Sequence, residues 1–435
     1  MTNKYTLNGL KCTVYLCLFF AFSYCSIWGF QLFETSIFEY AYGFLLVLSI
    51  LFTVIERRLS LHKIGIIMLF CVAIMFFRRA SINYLLFYLA LFVIVMVGIE
   101  EEDIQGISRF INFFAWIQII GMLICWLLPD FYVRFLSPAL SELDYYETLK
   151  SDILNGDWNI GFTNQSAHFA GFMALGIGNR ILLFRDGNRY LFHRNIIFVI
   201  LSIIGLYLSG KRAHFAFCIV SLVLIYYLNG YLKRGGNSKA VRFLGILLAC
   251  LLAFILLWGI SLNVEGTFLN EIFDTLGNLG TSDVDITTGR VNFWNVAIQQ
   301  FKENPILGIG WKSFWHFEFY GVHYDVHNIY LQLLCEVGIM GAVVFYLFFA
   351  ISLYRAIKIV IKKNIDMKYK KIALFSVFYQ VFFLLYGITG NPLYDASFYI
   401  MYFISVEFII PIPMTTLPKT EGLHENSDDH VSPCL

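Results

Sequence analysis

NIYLQLLCEVGIMGAVVFYLFFAISLY, residues 328–354, runs for 27 positions with one charged side chain, Glu336. About 20 apolar residues in a helix cross the hydrocarbon of a bilayer. The run shows no alternation of apolar and polar positions, so it does not read as a strand of a membrane β-barrel. It reads as a spanning helix, the conformation that satisfies its own backbone polar groups away from water.

Eleven further apolar runs accompany it, at about 10–31, 36–55, 64–77, 84–99, 107–128, 164–184, 195–209, 213–231, 242–262, 372–389 and 396–413, twelve in all. Of the 435 residues, 59% are hydrophobic, 18% aromatic and only 14% charged, and the mean hydropathy is +0.70. Soluble domains carry about 25% charged residues, so a water-soluble chain of two or three domains is excluded. The expected fold is an all-α polytopic membrane protein of about twelve transmembrane helices. Forty-five Phe and 26 Tyr against eight Pro exclude a disordered chain, and a net charge of +1 offers nothing to nucleic acid. Lys4 and Lys11 open the first run. It lacks a small-residue cleavage site and is followed at once by another span, so it is expected to be a retained helix.

Charge fixes the orientation, because Lys and Arg concentrate in cytoplasmic loops. With both termini cytoplasmic, 22 of the 31 Lys and Arg residues fall inside, and outer loops run over about 129–163 and 263–327. The nine outer cations are Arg78, Arg79, Arg134, Lys150, Lys211, Arg212, Arg290, Lys302 and Lys312. Eight of the nine cysteines lie inside apolar runs without paired spacing, and read as small buried hydrophobes. The polar tail 414–435 reads as a disordered cytoplasmic segment. No Walker sequence, dinucleotide fingerprint or internal repeat is visible, so no means of using ATP is evident.

The segment 287–342 carries the chemistry. Apolar side chains at Val291, Phe293, Trp294, Ala297 and Ile298 recur at helical spacing, and Arg290 and Trp294 stand one turn apart. This helix is too short to span and reads as amphipathic, lying at the outer interface and ended by Asn304-Pro305. Gly308-Ile309-Gly310 allows a tight turn, and HYDVHN at 323–328 leads into the tenth span, with His327 at its outer lip.

Arg290 with Trp294, NPILGIG at 304–310, and His327-Asn328 followed by Gly338-Ile339-Met340-Gly341 resemble the shared region of the O-antigen polymerase and O-antigen ligase superfamily. GFTNQ at 161–165 and SGKRA at 209–213 agree with it, so the resemblance covers about 160–355. It implies a C-type glycosyltransferase-like membrane enzyme, without metal or cofactor, acting on undecaprenyl-diphosphate-linked sugars outside the cytoplasmic (inner) membrane. Lipopolysaccharide or capsule synthesis would be the setting, with lipid-linked donor and acceptor, membrane lipid and a chain-length regulator as partners. On that reading residues 1–160 hold the N-terminal helices and first outer loop, 161–357 the polymerase/ligase-like core and 358–413 the C-terminal helices.

The residue types suit that chemistry. Departure of a polyprenyl diphosphate leaves charge on phosphate oxygens, which fixed cations in a water-poor site stabilise. Guanidinium keeps its charge and grips phosphate with two donors, which suits Arg212 and Arg290, and Lys211 adds a point charge. The acceptor hydroxyl must lose a proton, and His327 is the expected general base. Asn328, Trp294, Asn164 and Gln332 are the expected substrate-binding residues.

Plainer readings stand beside these. Arg212 can snorkel to headgroups, His327 can cap the tenth helix, and Asn164 with His168 can bond within the bundle. Asn328, Gln332 and Glu336 can form one polar stripe. His316, His323, Asp325 and His327 offer an H-x-D-x-H spacing that can hold a metal. A transporter of lipid-linked sugars is the non-enzymatic alternative, but two related halves with midplane charges are not evident. Inverting joining of repeat units is the expected reaction, with ligase-type transfer of finished polysaccharide as its runner-up.

Overall fold

The computed structural model describes residues 8–33, 36–57, 59–60, 62–143, 145–183, 190–233, 290–319, 322–362 and 364–413. The expected ninth span, 242–262, residues 263–289 of the outer loop and the tail 414–435 lie outside the described residues.

Each of the other eleven apolar runs is helical. Helices α1 (Gly9–Tyr24), α2 (Gly29–Phe33), α3 (Ser36–Glu56), α4 (Lys63–Phe77), α5 (Ile82–Val97) and α6 (Glu101–Leu127) come first. A short helical turn α7 (Pro129–Phe131) and α8 (Tyr146–Asn155) form the first loop's structure. Then follow α9 (Ser166–Leu182), α10 (Tyr190–Leu208), α11 (Arg212–Lys233), α12 (Arg290–Glu303), α13 (Ile329–Ile361), α14 (Met367–Tyr386) and α15 (Ala396–Glu407). Four are long and apolar enough to cross a membrane by length and composition, over Ile37–Glu56, Glu101–Leu127, Arg212–Asn229 and Ile329–Ile361. The first expected span ends early: α1 stops at Tyr24, and a turn at Cys25–Trp28 redirects the chain into α2. The amphipathic helix expected near Arg290 is α12, which buries Phe293 and Ala297 and exposes Val291 and Ile298.

Helix ends are fixed by side-chain caps, which satisfy amides that have no partner in the first turn. Asn8 opens α1, Asn328 opens α13, Asp366 opens α14 and Asp395 opens α15. Glu101, Glu102 and Asp103 sit in the first turn of α6, where negative charge complements the helix dipole. One apolar core joins α1, α4, α5, α6, α9, α13, α14 and α15. Phe44, Ile55, Phe76 and Phe77 point outward, as suits contact with lipid rather than water.

The run read as one continuous span departs most from expectation. Helix α13 breaks at Gly338, whose φ of 63° and ψ of −174° are not helical. The NPILGIG segment lies in the break. Ile309 and Gly310 donate their amides to the carbonyls of Cys335 and Glu336 at 2.9 and 2.8 Å. Ile339 and Met340 donate to the carbonyls of Pro305 and Ile306 at 2.8 and 3.4 Å. Backbone groups freed by the break are thus satisfied by a second irregular strand of chain, the condition for such backbone inside a bundle. Both glycines are forced: a Cβ on Gly338 would stand 2.3 Å from the Ile306 carbonyl oxygen, and one on Gly308 would stand 2.4 Å from the Glu336 carbonyl carbon. Arg78 closes the crossing, donating to the Gly308 carbonyl at 2.7 Å while its own carbonyl accepts from the Trp311 amide at 3.0 Å.

Candidate active site

The crossing delivers residues 311–328 to the start of α13. Glu336, fully buried on α13, anchors them there. Its carboxylate accepts from the amides of Lys312 (2.7 Å) and Phe314 (3.2 Å), from the Tyr394 hydroxyl (2.7 Å) and from Gln332 Nε2 (3.1 Å). A buried carboxylate is tolerable when its oxygens are this well supplied with donors. The chain then makes a two-stranded hairpin, β1 (Glu318–Phe319) with β2 (Val322–His323), and returns through Asp325 and Val326 to His327.

His327 has a φ of 55°, the left-handed region. A residue with a Cβ held there costs of order 1–3 kcal/mol and persists only when its surroundings over-determine it. They do so on both sides. Val326 donates its amide to Gln332 Oε1 at 3.3 Å and accepts from Trp294 Nε1 at 3.1 Å, while Asn328 caps α13 by accepting from the amides of Tyr330 and Leu331. The His327 ring lies 6.2 Å from the ring of Phe293.

Cations converge on this imidazole. Burial, then the charge of Arg290, and more weakly those of Lys211 and Lys312, push its pKa down to about 4, with Asp325 opposing them. The ring is therefore neutral at physiological pH and free to accept a proton. Lys211 is itself pushed down to about 8, by burial first, then by Arg290 and Arg212, with Asp152 opposing. Its ammonium sits 4.3 Å from the ring centre of Trp158. That approach depends on Gly210, at φ +68°, where a Cβ would stand 2.6 Å from the Trp158 ring. Arg290, at the first turn of α12, is half-buried and feels Arg212 at the first turn of α11. Among the described residues neither Lys211 nor Arg290 pairs with a carboxylate.

Four expected residues are thus brought together: His327, Arg290, Arg212 and Lys211. The other expected binding residues have polar atoms engaged within the protein. Trp294 and Gln332 spend their polar atoms on the loop before His327, and Asn328 is the helix cap. Asn164 accepts from the His168 ring at 2.6 Å, and the other ring nitrogen of His168 meets Asp395, the bonding within the bundle that the plainer reading allowed. Asp395, an N-cap that also accepts from Ser397, escaped the sequence reading, and a lone Asp before an apolar run carries little signal. Lys312 and Asp325 were read separately, and the structure pairs them at 2.9 Å.

The H-x-D-x-H segment does not gather as a ligand set. Asp325 faces Lys312, and His323 is exposed with its ring 6.2 Å from that of Trp315. Cys25, His168 and Asp395 form a tighter group elsewhere, their donor atoms within 4.8 Å of one another. Both nitrogens of His168 are already engaged there by Asn164 and Asp395. Of the other outer cations, Arg134 lies over Phe135 and Lys150 stands 3.5 Å from Glu147.

The sequence model of the family described as O-antigen ligase matches residues 197–346. That range takes in Lys211, Arg212, Arg290, the glycine crossing and His327, and it supports the O-antigen polymerase/ligase superfamily and an integral membrane protein of that type. No curated protein matches the chain.

Proposed function

We propose that the chain is a polymerase that joins polyprenyl-diphosphate-linked oligosaccharide repeat units on the outer side of the cytoplasmic membrane, by inverting, metal-independent glycosyl transfer. The observation that carries the reading is the neutral imidazole of His327 set among three cations, Arg290, Lys211 and Lys312. Arg290, Arg212 and Lys211 hold the donor diphosphate. As the acceptor hydroxyl oxygen bonds to the anomeric carbon, the bond from that carbon to the phosphate oxygen breaks and its electron pair leaves with the diphosphate. The guanidinium groups stabilise the charge that develops there. His327 takes the hydroxyl proton, a step suited to a base that is unprotonated before substrate arrives.

Ligase-type transfer of finished polysaccharide is the second reading, favoured by the description of the matching family. The two reactions share a donor and differ in acceptor. Purified protein supplied with one lipid-linked repeat unit should build a ladder of products; no product until a second acceptor is added means ligase. The sidedness has its own check: a cysteine at Lys150 should react with an impermeant thiol reagent from outside, and one at Lys362 should not. The reverse pattern defeats the placement of the site.

A further inference from the structure

We propose that Asp325, clamped by Lys312 and Gln332, is the positioning residue of His327. The inference rests on the reading of His327 as the base and adds a residue to it.

The geometry is a closed chain of contacts. Lys312 Nζ donates to Asp325 Oδ1 and Oδ2 at 3.1 and 2.9 Å. Gln332 Nε2 donates to Asp325 Oδ1 at 3.0 Å and to Glu336 Oε1 at 3.1 Å, and Glu336 in turn holds the Lys312 amide. Asp325 is therefore fixed from the start of its own loop and from α13 at once. Val326 is fixed from α12 and α13 by its amide and carbonyl. From these two held residues the chain turns through His327, at φ 55°, to the start of α13.

Charge gives Asp325 a second effect. The groups facing the His327 ring are Arg290 from α12, Lys211 from the turn before α11, Lys312 and Asp325 from its own loop, with the Phe293 ring against it. Among these Asp325 is the one carboxylate. When His327 takes the acceptor proton, the imidazolium forms beside three cations, and Asp325 is the group that stabilises it. A base oriented and supported by a third group is the general arrangement of such sites. Lys312 acts on the ring in the opposite direction, although it makes the same ion pair.

That opposition separates positioning from mere bracing. The full chain labelled with 15N-histidine, titrated in detergent without substrate, should show the His327 ring titrating near 4. Asp325→Asn should move that titration to lower pH, and Lys312→Gln to higher pH. In transfer of the native lipid-linked repeat unit, Asp325→Asn should lower kcat about 10²-fold, the scale of a misplaced catalytic group. KM should change little, and Asp325→Glu should recover part of the loss. A brace predicts equal damage from both neutralisations and an unmoved His327 titration, and that result overturns the proposal. Should Asp325→Asn not accumulate, the sign of the Lys312→Gln shift decides the matter. His327→Ala serves as the control: full transfer without the imidazole defeats the base reading itself, whereas loss of transfer with a normal Asp325→Asn enzyme defeats only this inference.

Discussion

At one end of the helical bundle Lys11 lies 3.1 Å from Asp103, Arg57 lies 2.7 Å from Glu100, and Lys368 meets Glu101. Arg355, at the same end, donates to the carbonyls of Ile409, Ile410 and Ile412 after α15. At the other end Lys211 rests on Trp158, Arg290 is half-buried near Arg212, and their described surroundings give neither Lys211 nor Arg290 a carboxylate. Among the described residues the first end pairs its cations locally, and the second pairs Lys312 with Asp325 but leaves Lys211 and Arg290 without a carboxylate. Cations left unpaired in a half-buried place are costly unless an anion arrives, which is what the proposed function asks of Lys211 and Arg290.

Substitutions at the two ends should therefore read out differently. The largest effect is expected at His327: His327→Ala should retain binding of the lipid-linked donor and lose about 10²–10⁴ in rate, the usual worth of a general base. Measured transfer within threefold of wild type would place the base elsewhere. Arg290→Lys should cost about 10² in kcat/KM, because the charge stays while the two-donor fork on the phosphate is lost. An unaffected Arg290→Lys enzyme would leave the donor without its proposed clamp. Gly338→Ala should act on the fold itself, losing about 1–3 kcal/mol from the left-handed backbone alone, with more from the 2.3 Å clash with Ile306. Thermal unfolding in detergent would register this as a lower midpoint, and an unchanged midpoint would contradict the crossing. Arg57→Gln should be the mildest, costing less than about 1 kcal/mol as exposed pairs do, with transfer unchanged. If Arg57→Gln instead slows transfer as much as Arg290→Lys, the contrast between the two ends is wrong.

Much of the bundle was legible from composition alone, because an apolar run long enough to bury its own backbone has few alternatives to a helix. What composition could not reveal was the break at Gly338. The run 328–354 is apolar on both sides of that glycine, and nothing in its hydropathy tells that NPILGIG takes over its backbone bonds. The motif was legible as a motif, and its physical purpose is the crossing that sets down residues 311–328. For the proposed site, Arg290, Arg212, Lys211 and His327 were singled out by the motifs that resemble the family and by side-chain chemistry suited to a diphosphate and a proton. Asn328, Gln332, Trp294 and Asn164 were harder to assign, since an amide or indole serves a backbone group as readily as a sugar. The pairing of Lys312 with Asp325 joins residues on either side of a hairpin whose strands are two residues long, too short to leave a pattern.

The basicity of His327 was also beyond the sequence, which supplies only the ordinary histidine value near 6.5. Burial and the cations around the ring set it near 4, and burial with Arg290 sets Lys211 near 8. The pH dependence of kcat/KM reports the groups of the free enzyme, so the account predicts a profile with an acid limb near 4, where His327 becomes protonated, and an alkaline limb near 8, where Lys211 loses its charge. The alkaline limb should disappear in Lys211→Arg. That profile, measured on purified protein with the lipid-linked repeat unit, tests the central claim most directly: an acid limb near 4 supports a neutral imidazole base among cations, and one at about 6.5 or above contradicts it.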